Sequence, residues 1–162
     1  MLVTNHVLSG ALIGAVVRRP VPAFVVGVAS HFVLDAVPHW GNWNDEKRFL
    51  RVAVRDGLAG LAAIGAFTAA ARPERRLAVV AGMAGAALPD IDKPSRVWFG
   101  VSPWPGPVNR FHASIQNEAP ERLGLEMTTM GALAVVGLLA VRAKGRRAKG
   151  RRQGSAARGA AG

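Results

Sequence analysis

A chain of 162 residues with 50% apolar residues and mean hydropathy +0.20 fits one domain, yet it carries 21 basic residues against 10 acidic ones, for a formal charge of +11. It contains no cysteine, which excludes disulfides and thiolate metal sites and leaves imidazole and carboxylate as the available transition-metal ligands. Neither a phosphate-cradling glycine loop nor a serine or cysteine nucleophile pattern occurs.

Five apolar stretches are delimited by charges or prolines, at about 2–17, 21–38, 56–71, 77–89 and 125–141. Each is expected to be a helix. In the first, Thr4 or Asn5 can cap the start, His6 follows, and Gly10 and Gly14 offer a small face for close packing. Arg18 and Arg19 come after the apolar run, the reverse of a signal peptide, so residue 1 is expected in the mature protein. The second stretch ends in SHFVLDAVPH, where His31, Asp35 and His39 recur at steps of four and share one helical face until Pro38 stops the helix. Burying these groups is costly without partners, and either a metal or a simple His–Asp pair would supply them.

Asp56 opens the third stretch beside Arg55, where it can pair with Arg51 or Arg55 or support a neighbouring site. The fourth ends in LPDID, whose Asp90 and Asp92 repel each other unless a cation intervenes. Lys93 or a divalent ion could be that cation. The prolines and glycine of VSPWPGPV are expected to prevent a regular element there, and the polar stretch after it, NRFHASIQNE, holds Arg110 and His112. Residues 1–141 thus form the helical domain, whereas 142–162 are expected to be a disordered basic tail.

The stretches are short for ~20-residue membrane spans, but the charges are segregated as spans require. With the N-terminus outside, the inner loops and tail hold 13 basic residues and only Glu74 as an acid, whereas the outer segments hold eight basic and nine acidic residues. The fold expected is all-α, a multi-pass transmembrane bundle of about five helices in the cell membrane with a cytoplasmic tail. Trp40, Trp43, Trp98 and Trp104 all fall on the outer side, as interface anchors or as a lining for a lipid-like substrate.

The same topology, inferred without reference to histidine, places His6, His31, Asp35, His39, Asp90, Asp92 and His112 together on the outer side. Imidazole plus carboxylate is a ligand set for zinc, with manganese or iron as alternatives. The motifs TNHVLSGALIG, SHFVLDAVPH, LPDID and NRFHASIQ, which span residues 4 to 116, resemble those of the predicted membrane-bound metal-dependent hydrolases of bacteria. That resemblance implies a metal site at His6, His31, Asp35, Asp90, Asp92 and His112, with His39 as a further candidate. The chain departs from the family pattern in having Lys93 where a histidine follows PDxD, Asn109 and Arg110 where a His-Arg pair precedes a second histidine, and a PDxD motif that comes after SHxxxD instead of before it.

The function expected is metal-dependent hydrolysis at the outer membrane face, with Asp35 as general base, Arg110 stabilising developing negative charge, and a lipid or phosphoester as substrate. The alternatives are a metal or proton transporter built on the same cluster, or a non-catalytic membrane protein. The tail's seven Lys or Arg between 142 and 152 suit anionic lipid headgroups, and without interleaved aromatics no nucleic-acid partner is expected.

Overall fold

A computed structural model of the chain describes residues 1–41 and 45–143, with the backbone alone at Glu46. Its centre is made by glycines. Helix α1 (Val3–Val17), α2 (Pro20–Ala36) and α4 (Pro73–Ala87) meet where a Cβ on Gly10 or Gly27 would strike the Gly82 backbone, and one on Gly82 would strike the Gly10 carbonyl. Gly14 meets Ala78 and Gly85 meets Phe24 in the same way. Without side chains at the crossings, three helices approach backbone to backbone, as small residues allow in apolar surroundings.

Two longer helices flank this trio: α3 (Glu46–Ala70) and α7 (Leu123–Arg142). Val7, Leu8, Ala11 and Ala15 of α1, Phe67 and Ala71 of the α3 end, Val79 and Met83 of α4, and Val141 of α7 form the buried apolar core. The fold is therefore all-α. Two described spans are long and apolar enough to cross a membrane: Lys47–Ala70 within α3, and Pro120–Arg142, which is α7 with the 3₁₀ turn before it. At 15 to 17 residues the inner helices rise only about 22–26 Å, less than a hydrocarbon core of ~30 Å.

Several boundaries differ from the sequence expectation. Helix α3 begins ten residues before Asp56, because EKRFLRVAVRD winds as an amphipathic first half capped by Asp45, whose carboxylate accepts the Arg48 N–H at 2.9 Å. The segment after α4 is more regular than its prolines promised. A 3₁₀ turn (Leu88–Ile91) leads into α5 (Asp92–Phe99), and α6 (Gly106–Ile115) starts inside the proline-rich loop, since Pro107 occupies a first-turn position that needs no N–H partner. The strands β1 (His39–Trp40) and β2 (Glu118–Ala119) form a two-residue parallel bridge joining the exit of α2 to the entry of α7. The basic tail from residue 144 onward and Trp43 lie outside the described residues.

Outer-helix carboxylates cap the start of α1. Asp56 accepts the N–H groups of Val3 (2.6 Å) and Thr4 (3.2 Å). Glu126, 1% exposed on α7, accepts from Leu2 N–H at 3.3 Å, Trp40 N–H at 3.2 Å and the Asn5 side-chain amide. Helix N-termini favour such anions because their first N–H groups have no intrahelical acceptor. At the opposite end Arg75, 3% exposed, donates to the Ala140 carbonyl near the end of α7.

Candidate metal centre

The start of α1, the end of α2, the 3₁₀ turn after α4 and the end of α6 converge at one end of the bundle. From them His31, Asp35, Asp90 and His112, all buried, each present one ligand-type atom, and these four atoms lie within 4.8 Å of one another. His31 and Asp35 are one helical turn apart, as their spacing of four requires, with Nε2 and Oδ2 separated by 3.1 Å. The His112 Nε2 is 2.8 Å from Asp35 Oδ2 and 3.1 Å from His31 Nε2. Asp90 stands slightly further off, with Oδ1 at 3.7 Å from His31 Nε2 and 3.8 Å from His112 Nε2.

The donors fit a metal in chemistry and spacing. Ligand atoms about 2.0–2.1 Å from a tetrahedral zinc are about 3.3 Å apart, which is the middle of the separations just given. The His31 Nδ1–H donates to the Ala86 carbonyl at 2.8 Å, which leaves Nε2 as the ring atom that faces His112, Asp35 and Asp90 and could bind a metal. Two imidazole nitrogens and two carboxylates facing one point repel unless a cation or protons lie among them.

Other charged groups reach the rim. Lys93 Nζ lies 2.8 Å from Asp90 Oδ1. Burial by itself would raise the Asp90 pKa, but Lys93, with His6 and His31, outweighs it and pulls the carboxyl down to about 2. Burial likewise opposes the charge on Lys93, yet Asp90 and Asp35 hold its pKa above the usual lysine value. The Met1 amine is 2.6 Å from Asp35 Oδ1.

The remaining residues singled out in the sequence occupy different places. His6 stacks on His31, with ring centroids 4.0 Å apart, and its Nε2 lies 3.1 Å from Asp35 Oδ1, one step outside the four-donor group. His39 is further out: Nδ1–H donates to the Val37 carbonyl at 2.8 Å, and Nε2 is 3.0 Å from Gln116 Oε1. Asp92 lies 3.5 Å from Arg96 and is not part of the group. Arg110 is exposed, with its guanidinium lying over Gly106 of its own helix. Asp35 has both oxygens engaged, Oδ1 by His6 and the Met1 amine, Oδ2 by His31, His112 and Gln116, so it is the hub of the cluster. The three described tryptophans also part company. Trp40 is buried at 3% exposure, Trp104 donates its indole N–H to the Pro89 carbonyl, and Trp98 is exposed.

Gln116 was not singled out from the sequence. It donates to Asp35 Oδ2 at 2.8 Å and faces His39 with its oxygen, linking that ring to the hub. Its spacing of four from His112 is the signal that marks it. No family model, curated protein or solved structure matches the chain.

Proposed function

We propose that this chain is a multi-pass membrane protein that holds a divalent metal at the outer end of its bundle and hydrolyses a substrate there, as the motif resemblance to membrane-bound metal-dependent hydrolases implied. The convergence of His31, Asp35, Asp90 and His112 is the observation that carries the reading. Zinc is the metal favoured by two imidazoles and two carboxylates. The charge segregation of the sequence favours outward placement of this end, with the N-terminus outside and the tail inside.

His31, His112 and Asp35 are the tightest trio, and Asp90 stands back against Lys93. Three closely held ligands with one adjustable position are the pattern of catalytic zinc, in contrast to the four fixed ligands of structural sites. A bound metal would supply a water of lowered pKa and polarise the bond to be cleaved. Asp90, paired with Lys93, would stand at the open position and accept a hydrogen bond from such a water, while Ala86 and Gln116 fix His31 and Asp35. Asp35 acts as ligand and hub in this scheme, because both its oxygens are occupied.

One observation favours a second reading. Lys93 and the Met1 amine already stand against Asp90 and Asp35, as in a purely structural ion-pair cluster. Metal analysis of detergent-purified protein separates the two. Stoichiometric zinc, manganese or iron is expected in the wild type and Asp92→Asn, with loss in His31→Ala and His112→Ala. Folded wild type that takes up no metal even after reloading would leave the ion-pair cluster standing and end the hydrolase reading.

A further inference from the structure

Residues 91–111 are the chain between two of the four donors. It leaves the site after Asp90 and returns to it at His112, so both ends are tied to the same place, and the Trp104 indole bound to the Pro89 carbonyl at 3.0 Å ties the middle down. Between those ties Ile91, Val97, Trp98, Phe99, Val101 and Phe111 are all exposed, Trp98 and Phe99 at 73% and 74%. Like the exposed apolar faces of α2, α3 and α7, this series implies a covering partner.

Position and charge identify the partner. The segment sits at the end of the bundle where α3 and α7, the two helices of spanning length, both begin, because β1 and β2 just before them are paired beside the site. Its basic residues Lys93, Arg96 and Arg110 outnumber its single acid, Asp92. Aromatic and aliphatic residues interleaved with arginines, at the level where spanning helices enter the bilayer, match a headgroup layer with phosphates above and acyl chains below.

We propose that residues 91–111 form an interfacial platform lying in the phospholipid headgroup layer, with Trp98 and Phe99 inserted among the upper acyl carbons and Arg96 and Arg110 against lipid phosphates. The platform brings lipid to the edge of the donor cluster, at Phe111, whose ring is 5.4 Å from Phe32 beside His112. This inference rests on the membrane reading of α3 and α7, and is independent of whether metal is bound.

The absence of cysteine makes the test direct. Single cysteines replace Trp98, Phe99 and, as reference, Leu61, which is 67% exposed in the middle of α3. Each full-length variant is nitroxide-labelled, reconstituted into phosphatidylcholine–phosphatidylglycerol nanodiscs and measured by power saturation with oxygen and with a water-soluble nickel chelate. Labels at Trp98→Cys and Phe99→Cys are expected to collide with oxygen at least as readily as with nickel, and the Leu61→Cys label to favour oxygen more strongly still. Oxygen preference at Leu61→Cys with nickel preference at both platform positions would overturn the platform and spare the spanning helices. Nickel preference at all three would overturn both.

Discussion

The inner trio α1, α2 and α4 and the outer pair α3 and α7 use the same small residue for opposite ends. In the trio Gly10, Gly14, Gly27, Gly82 and Gly85 each face a neighbouring backbone, whereas Gly57 and Gly65 of α3 and Gly124 and Gly131 of α7 face open space, and Gly60 and Gly137 meet side chains. The trio is locked, and from it or its 3₁₀ extension come His6, His31, Asp35, Asp90 and the Ala86 carbonyl. The outer pair is long, apolar and largely uncovered, and it meets the start of α1, beside the site, through Asp56 and Glu126. A glycine-packed frame too short to span a bilayer thus holds the donor cluster, and two longer helices, each long and apolar enough to cross one, flank it.

The sharpest way to break this contrast is Gly82→Val, whose side chain has to separate α4 from α1 and α2 together. A loss of about 3 kcal/mol is expected, the upper end of ordinary overpacking, because backbone and not flexible side chains must yield. Thermal unfolding in detergent reads it, and an unchanged midpoint would show that the trio is not locked. Next is Gln116→Leu, which removes the link between His39 and Asp35. Metal affinity should fall roughly 10- to 100-fold with little change in unfolding temperature. Competition with a chelator measures the first quantity; equal affinity would mean that the hub holds itself.

Glu126→Gln tests the outer pair's contribution to the frame. It keeps the shape, but the carboxylate's charge-assisted bonds to Leu2, Asn5 and Trp40 are weakened, at a cost of about 1.5 kcal/mol in the same unfolding assay. The smallest effect has the opposite sign. Gly65→Ala and Gly131→Ala, with room for the new methyl group, should each stabilise by about 0.4–1 kcal/mol through the unfolded chain. Destabilisation at either position would mean that these faces are covered in the membrane.

Much of this division could be read from residue order. The five long helices follow the apolar stretches, and the spacing of four in SHFVLDAVPH placed His31 and Asp35 on one face, because helical periodicity is local. His39 escaped that rule: Pro38 ended the helix, and the bridge to Glu118 then redirected the ring toward Gln116. Asp92 had the same motif as Asp90 but turned to Arg96 when the 3₁₀ turn passed into α5. The Ala86 carbonyl has no sequence signature at all. Nor could alternation of polar and apolar residues show that α3 begins before Asp56, since charged residues on a helix surface look like a loop when read in line.

Distance along the chain adds a consequence of its own. Asp35 and His112 are 77 residues apart, and their partnership closes a loop that contains α3, α4 and the platform. Loops of that length form late, after local helices and near neighbours have already gained their contacts. The contact of Gly10 with Gly82 closes a loop almost as long, 72 residues, so frame and site share the late stage of assembly, and the docking of α6 is what makes the four-donor cluster whole.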